Sequence, residues 1–114
     1  MPGYAIAHLR TPQFNDDVVQ YLERIQGTLD PFAGRFLVHG VEVQVVEGEW
    51  PGTIVVIQFP DVEAARAWYQ SPAYQAIVHL RTDHIDGEAI IVKGVPDGYD
   101  VTRTAATAKA QLAN

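Results

Sequence analysis

Residues 4–10 alternate Ala5, Ala7 and Leu9 on one side with Tyr4, Ile6, His8 and Arg10 on the other, the two-residue period of a strand. Beyond them Asn15 is placed to cap a helix whose first turn carries Asp16 and Asp17 at the positive end of the helix dipole. Phe14 and Val19 hold the spacing of a hydrophobic staple. Val18, Leu22, Ile25 and Leu29 then recur at i, i+4, i+7 and i+11, a stripe made to pack on a sheet, and Pro31 ends the helix. Residues 35–47 read as a second strand, with a bulge or tight bend expected at Gly40. After the turn at Trp50-Pro51-Gly52, residues 53–59 are β-branched at nearly every position, as a central strand buried on both faces should be.

Pro60-Asp61 starts a second helix with Val62, Ala65, Trp68 and Tyr69 on one face. Ser71-Pro72 restarts it, serine as N-cap and proline at the first helical position, for a segment over 72–80 with Tyr74, Ile77 and Val78 inward. Residues 88–93 form the last strand. The order β-α-β-β-α-β predicts an α+β, ferredoxin-like domain over residues 1–95, an antiparallel sheet with both helices on one face. Residues 96–114 make a tail whose Ala-rich stretch, 105–112, reads as a short helix that needs a docking surface, because isolated helices of this length are marginal.

Helices on one side leave the other face of an apolar sheet bare, and a soluble monomer does not keep such a face exposed. The expected solution is a second copy packed sheet to sheet, a two-fold homodimer. Composition narrows the chemistry. The 114 residues hold 8 Lys+Arg against 14 Asp+Glu, a net charge of −6 with no basic cluster, which argues against a nucleic-acid partner. No apolar run approaches the ~18 residues of a membrane span. The absence of cysteine removes disulfides, thiolate nucleophiles and thiolate metal sites. The N-terminus lacks the pattern of a signal peptide, so a cytoplasmic location is expected.

Several segments together carry a family resemblance: GRFLVHG at 34–40, EGEWP at 47–51, VVIQFP at 55–60, AARAWYQSPAYQ at 64–75, and Arg81. Over residues 4–95 the chain resembles the domain-of-unknown-function family 1330, of the dimeric α/β-barrel, ferredoxin-like superfamily. The resemblance implies that fold, a dimer and a pocket near the sheet. The superfamily includes cofactor-free monooxygenases, haem-degrading enzymes, lyases and cyclases of natural-product pathways, and binding proteins, so fold alone does not choose an activity. The family pattern usually carries arginine where this chain has His39, and glutamate where it has Gln58.

Candidate chemistry starts at His39. Even spacing puts it on one side of its strand with Arg35 and Leu37, and a bend at Gly40 would bring Glu47 near enough to orient the imidazole for acid–base catalysis. The bland alternative is an ion pair at a strand end. Tyr69 and Tyr74 flank the Ser71-Pro72 break and can hold a carbonyl or enolate oxygen, with Arg81 as the partner of the negative charge; otherwise they are core tyrosines and a loop-capping arginine. Ser71 reads as a cap rather than a nucleophile. His8, on a mixed strand face, and Trp50, in a turn, are further candidates for contact with a substrate, Trp50 either as a lid or packed on the dimer mate. His79, Asp83, His84 and Asp86 are the nearest thing to a metal cluster. His79 and His84 lie about 140° apart around a helix, so no metal is expected.

No GxGxxG, Walker loop or Ser/His/Asp signature appears, and no cofactor is expected. The leading expectation is a cofactor-independent enzyme of lyase, cyclase, isomerase or monooxygenase type, moving protons on an oxygenated or polyketide-like substrate. Its residues are His39, Glu47, Tyr69 and Arg81 as the reacting set, with Arg35, Trp50, Tyr74 and His8 in contact with substrate. The competing expectations are a non-catalytic small-ligand-binding dimer and an interaction module that docks through the tail.

Overall fold

A computed structural model describes residues 1–113. Four strands, β1 (Gly3–Leu9), β2 (Arg35–Val41), β3 (Thr53–Phe59) and β4 (Gly87–Lys93), form one antiparallel sheet in the order β2-β3-β1-β4. Helices α1 (Asp16–Leu29) and α2 (Val62–Gln70) follow β1 and β3, and two short helical turns, α3 (Pro72–Gln75) and α4 (His79–Thr82), lead into β4. This is the ferredoxin-like arrangement. The sheet is open within one chain, with β2 and β4 as its edges.

The caps sit where the residue types require them. The side chain of Asn15 accepts from the Val18 N–H at 2.9 Å, Asp61 accepts from Ala64 N–H at 2.8 Å, and Ser71 accepts from Tyr74 N–H at 3.3 Å. Each ties down an N–H that the first helical turn leaves without a partner. The staple does not form, for Phe14 and Val19 both stay exposed. Pairing of Ala5 with Ile57 and Ala7 with Val55 sets the odd-numbered residues of β1 and β3 toward the helices. There Val55, Ile57 and Phe59 meet Ile25 and Leu29 of α1, Ala65 and Trp68 of α2, and Tyr74 and Ile77 in one buried core.

The second strand is shorter than its sequence suggests. Its last pair is Val41 with Ile54, and residues 42–52 run as an irregular connection because β3 begins only at Thr53 and offers them no partner. Two extra residues interrupt the β2–β3 ladder, one at Leu37 and one at Gly40. Gly40 takes φ 61, a left-handed conformation that glycine adopts without steric cost, as expected for a bulge. The bulge at Leu37 was not foreseen, and it changes which side His39 faces. The segment 72–80 is two turns rather than one helix, joined by the tight bonds Ile77 N–H to Tyr74 C=O and Leu80 N–H to Ile77 C=O.

Helix α2 rests on β1, β3 and β4, whereas α1 packs chiefly on α3, α4 and the 3-10 turn Asp30–Phe32, and so stands off the sheet. The tail helix, α5 (Thr102–Leu112), buries none of its residues. It extends the molecule to 56 × 34 × 23 Å, with a radius of gyration of 16.9 Å, against about 13 Å for a compact chain of this length. No helix among the described residues is long and apolar enough to cross a membrane.

Candidate functional site

Where α1 stands off the sheet, it leaves a cavity of about 730 Å³. Its floor includes Ala5, Ala7 and Ala89 of the central and edge strands, side chains too small to fill the gap, together with Val55, Ile57 and Ile91. Val18, Tyr21, Leu22 and Ile25 of α1 form the roof. Trp68, Tyr69 and Tyr74 close one wall with tilted rings, Trp68 to Tyr74 at 4.1 Å and Tyr69 to Tyr74 at 5.5 Å between centroids. The Trp68 indole N–H donates to Thr28 Oγ1 at 3.0 Å, and that hydroxyl donates to the Ile25 carbonyl at 2.7 Å, which ties the wall to α1. A volume and lining of this kind are typical of a small-molecule pocket.

Polar groups converge at one place in this apolar lining. The hydroxyls of Tyr21 and Tyr74 share a hydrogen bond of 2.7 Å, and the Arg81 guanidinium carbon lies 5.7 Å from the centre of the Tyr21 ring. Both phenols are nearly inaccessible, 6% and 2% exposed. Burial, reinforced by Tyr74, pushes the Tyr21 phenol far above the usual tyrosine range, although Arg81 pulls it back in part. For Arg81, burial works against the charge, but the oxygens of Tyr21 and Tyr74 outweigh it and raise the pKa, so the group is a fixed cation. One of the two hydroxyls donates to the other, which leaves one phenol O–H beside the guanidinium in a desolvated pocket, a pair suited to hold an anionic oxygen. In the same lining the Thr53 hydroxyl is buried and has no hydrogen-bond partner among the described residues.

Of the residues expected at the site, Tyr69, Tyr74, Arg81 and His39 line this cavity. His39 sits exposed at the rim, its ring 4.6 Å from that of Phe36. It pairs with Val55 and shares the helix-facing side. Arg35 does not share it. The extra residue at Leu37 offsets the two by one position, so Arg35 pairs with Gln58 and holds its side-chain oxygen through Nη2 at 2.7 Å and Nε at 3.1 Å, away from the cavity. Glu47 does not meet His39 either. It is exposed in the irregular connection, and the ion pairs among the described residues are Arg10 with Glu88 and His84 with Asp17.

His8 and Trp50 belong together, on the other side of the sheet. Their rings stack at 4.0 Å, the His8 Nε2–H donates to the Pro51 carbonyl at 2.6 Å, and the Trp50 indole donates to the Thr53 carbonyl at 3.3 Å. Neither lines the cavity. Gly52 permits this turn with φ 91, where any side chain would strike the Leu9 carbonyl. The acidic and histidine cluster near residue 84 is drawn apart, His84 bonding Asp17 at 2.9 Å. Among the described residues no group of three or more His, Asp or Glu is placed to hold a metal. Ser71 uses its hydroxyl on the Trp68 carbonyl at 2.7 Å, in addition to the cap. The residue passed over in the sequence is Tyr21. It lies three positions after Val18 and four before Ile25, on the stripe already recognised, and a tyrosine in an otherwise aliphatic stripe is the signal that was available.

The family model described as "Domain of unknown function (DUF1330)" matches residues 2–95 of this sequence. No curated protein matches it. Among solved structures it is similar to RPA0582, a protein of unknown function from Rhodopseudomonas palustris, at 15% identity and a TM-score of 0.62, covering 83% of each chain. A dimeric ferredoxin-like protein of unknown function from Thermobifida fusca aligns at 19% identity and a TM-score of 0.54, covering 82% of this chain and 92% of that one. SnoaB, a cofactor-independent oxygenase from Streptomyces nogalater, aligns at 9% identity and a TM-score of 0.51, over 87% and 96% of the two chains. At these identities the likeness is one of fold.

Proposed function

Because the chain belongs to the DUF1330 family, whose description carries no activity, its function has to be read from the cavity, and we propose a small-molecule enzyme that works by proton transfer with its own side chains. The observation that carries this is the Tyr21–Tyr74–Arg81 cluster in an apolar cavity with His39 at its rim. An oxygenated substrate would place its carbonyl oxygen at the guanidinium and phenols. His39 would take a proton from the carbon beside that carbonyl. The C–H electron pair becomes a C=C bond, the carbonyl pair moves onto oxygen, and the resulting enolate oxygen is held by Arg81 and by the phenol O–H that the Tyr21–Tyr74 bond leaves free. Return of the proton at another carbon completes an isomerisation, and loss of a leaving group completes a lyase reaction. The description of SnoaB as a cofactor-independent oxygenase supports chemistry without a cofactor on this fold, by analogy only.

The working unit in this proposal is a homodimer closed through the bare sheet face, in keeping with the dimeric description of the Thermobifida fusca protein. Solvent deuterium uptake by 2-tetralone, followed by proton NMR, tests the reaction. The full chain should accelerate exchange, and His39→Gln should slow it by about a hundredfold or more. One observation favours a second reading, a non-catalytic binding protein: among the described residues the His39 imidazole meets the Phe36 ring but no hydrogen-bonding or charged side chain. No acceleration by the native chain, or full exchange in His39→Gln, would select against His39 as the acid–base group.

A further inference from the structure

We propose that the cavity selects amphipathic anions, flat apolar bodies bearing one carboxylate, and that Arg81 supplies the charge that distinguishes them from neutral analogues. This deepens the reading of the cavity as a small-molecule site, but it does not depend on catalysis. The chain holds 14 Asp+Glu and a net charge of −6, yet among the described residues no carboxylate lines the cavity. Arg81 and the rim imidazole of His39 are its basic groups. Among the described residues Arg81 has no acidic partner, since the two ion pairs engage Arg10 and His84. A largely desolvated guanidinium without a counter-charge is costly, and its partners here, two phenols, are neutral in the ordinary pH range. An entering carboxylate would supply the missing charge, and the planar guanidinium suits it in a bidentate geometry. The wall of Trp68, Tyr69 and Tyr74 is suited to a flat aromatic body.

Isothermal titration calorimetry of the full chain at pH 8 separates the terms with two probes of one shape, 2-naphthoate and the neutral 2-naphthamide. The carboxylate should bind at least about tenfold more tightly. Arg81→Gln should erase that preference, weakening the carboxylate by at least about tenfold and the amide by a smaller factor, and Arg81→Lys, which keeps the charge and is the gentler change, should retain part of it. Equal or tighter binding of the amide, a preference unaltered in both variants, or no binding of either probe would overturn the proposal. The deuterium-exchange test reads catalysis separately, so loss of exchange with the anion preference intact removes the enzyme and keeps the site.

Discussion

On β3 the residues that face the helices, Val55, Ile57 and Phe59, are 9%, 4% and 1% exposed, whereas on the opposite side Ile54 and Val56 are only partly buried. On the edge strand β4 the outer residues Ile90 and Val92 are 53% and 37% exposed, while Ile91, facing the helices, is partly buried. Both faces are apolar, and one chain covers one of them. The helix side is filled, except where α1 stands off three alanines and leaves the cavity. The outer side carries the stacked His8 and Trp50 and the side-chain pairs Arg35–Gln58 and Arg10–Glu88. A strand apolar at nearly every position reads as buried on both sides, and in the proposed homodimer a second copy would cover the face that one chain leaves open.

That difference can be broken most strongly from the helix side. Trp68→Ala removes a ring that is 3% exposed and touches Phe59, Tyr69 and Tyr74, and it should lower stability by about 3–5 kcal/mol in denaturant unfolding. A loss under about 1 kcal/mol would mean that α2 is not part of the main core. A smaller effect is expected from Tyr21→Phe, which leaves the Tyr74 hydroxyl without its partner in a buried setting, about 1–2 kcal/mol. The same variant sharpens the electrostatic side. Because burial raises the folded-state pKa of Tyr21 above its ordinary 10.0, the stability that depends on its protonated form is full below pH 10 and falls as the pH rises beyond it. Unfolding curves between pH 8 and 11 should therefore fall less steeply in Tyr21→Phe than in the native chain. The smallest effect belongs to the tail. Deleting residues 98–114 removes a helix with no buried residue and should change unfolding of the rest by less than about 0.5 kcal/mol. A larger loss would show that α5 covers part of the body in solution.

Much of this was legible before any coordinates. The alternation in β1, the caps at Asn15 and Ser71, the helix start at Pro60-Asp61 and the apolar stripe of α1 are local signals, and each appears where its physics places it. What escaped was non-local. The bulge at Leu37 depends on how β2 meets β3, and one extra residue moved Arg35 off the face of His39. Residues 42–47 read like a strand but pair with no neighbour among the described residues. Of the site, Arg81, Tyr69, Tyr74 and His39 were legible as residue types around a break and a bend. Tyr21 was hidden in a stripe that also serves the core. His8 and Trp50 were legible as aromatic and titratable side chains, but only register assigns them to the outer face.

The division of labour between the two faces is tested most directly by native mass spectrometry of the full chain beside Val56→Asp, which sets a carboxylate on the bare face away from the cavity lining. The native chain is expected at about 25 kDa, twice its 12.6 kDa, and the variant at the monomer mass. A native chain found only as the monomer, or a variant that stays dimeric, would contradict closure of the sheet by a second copy.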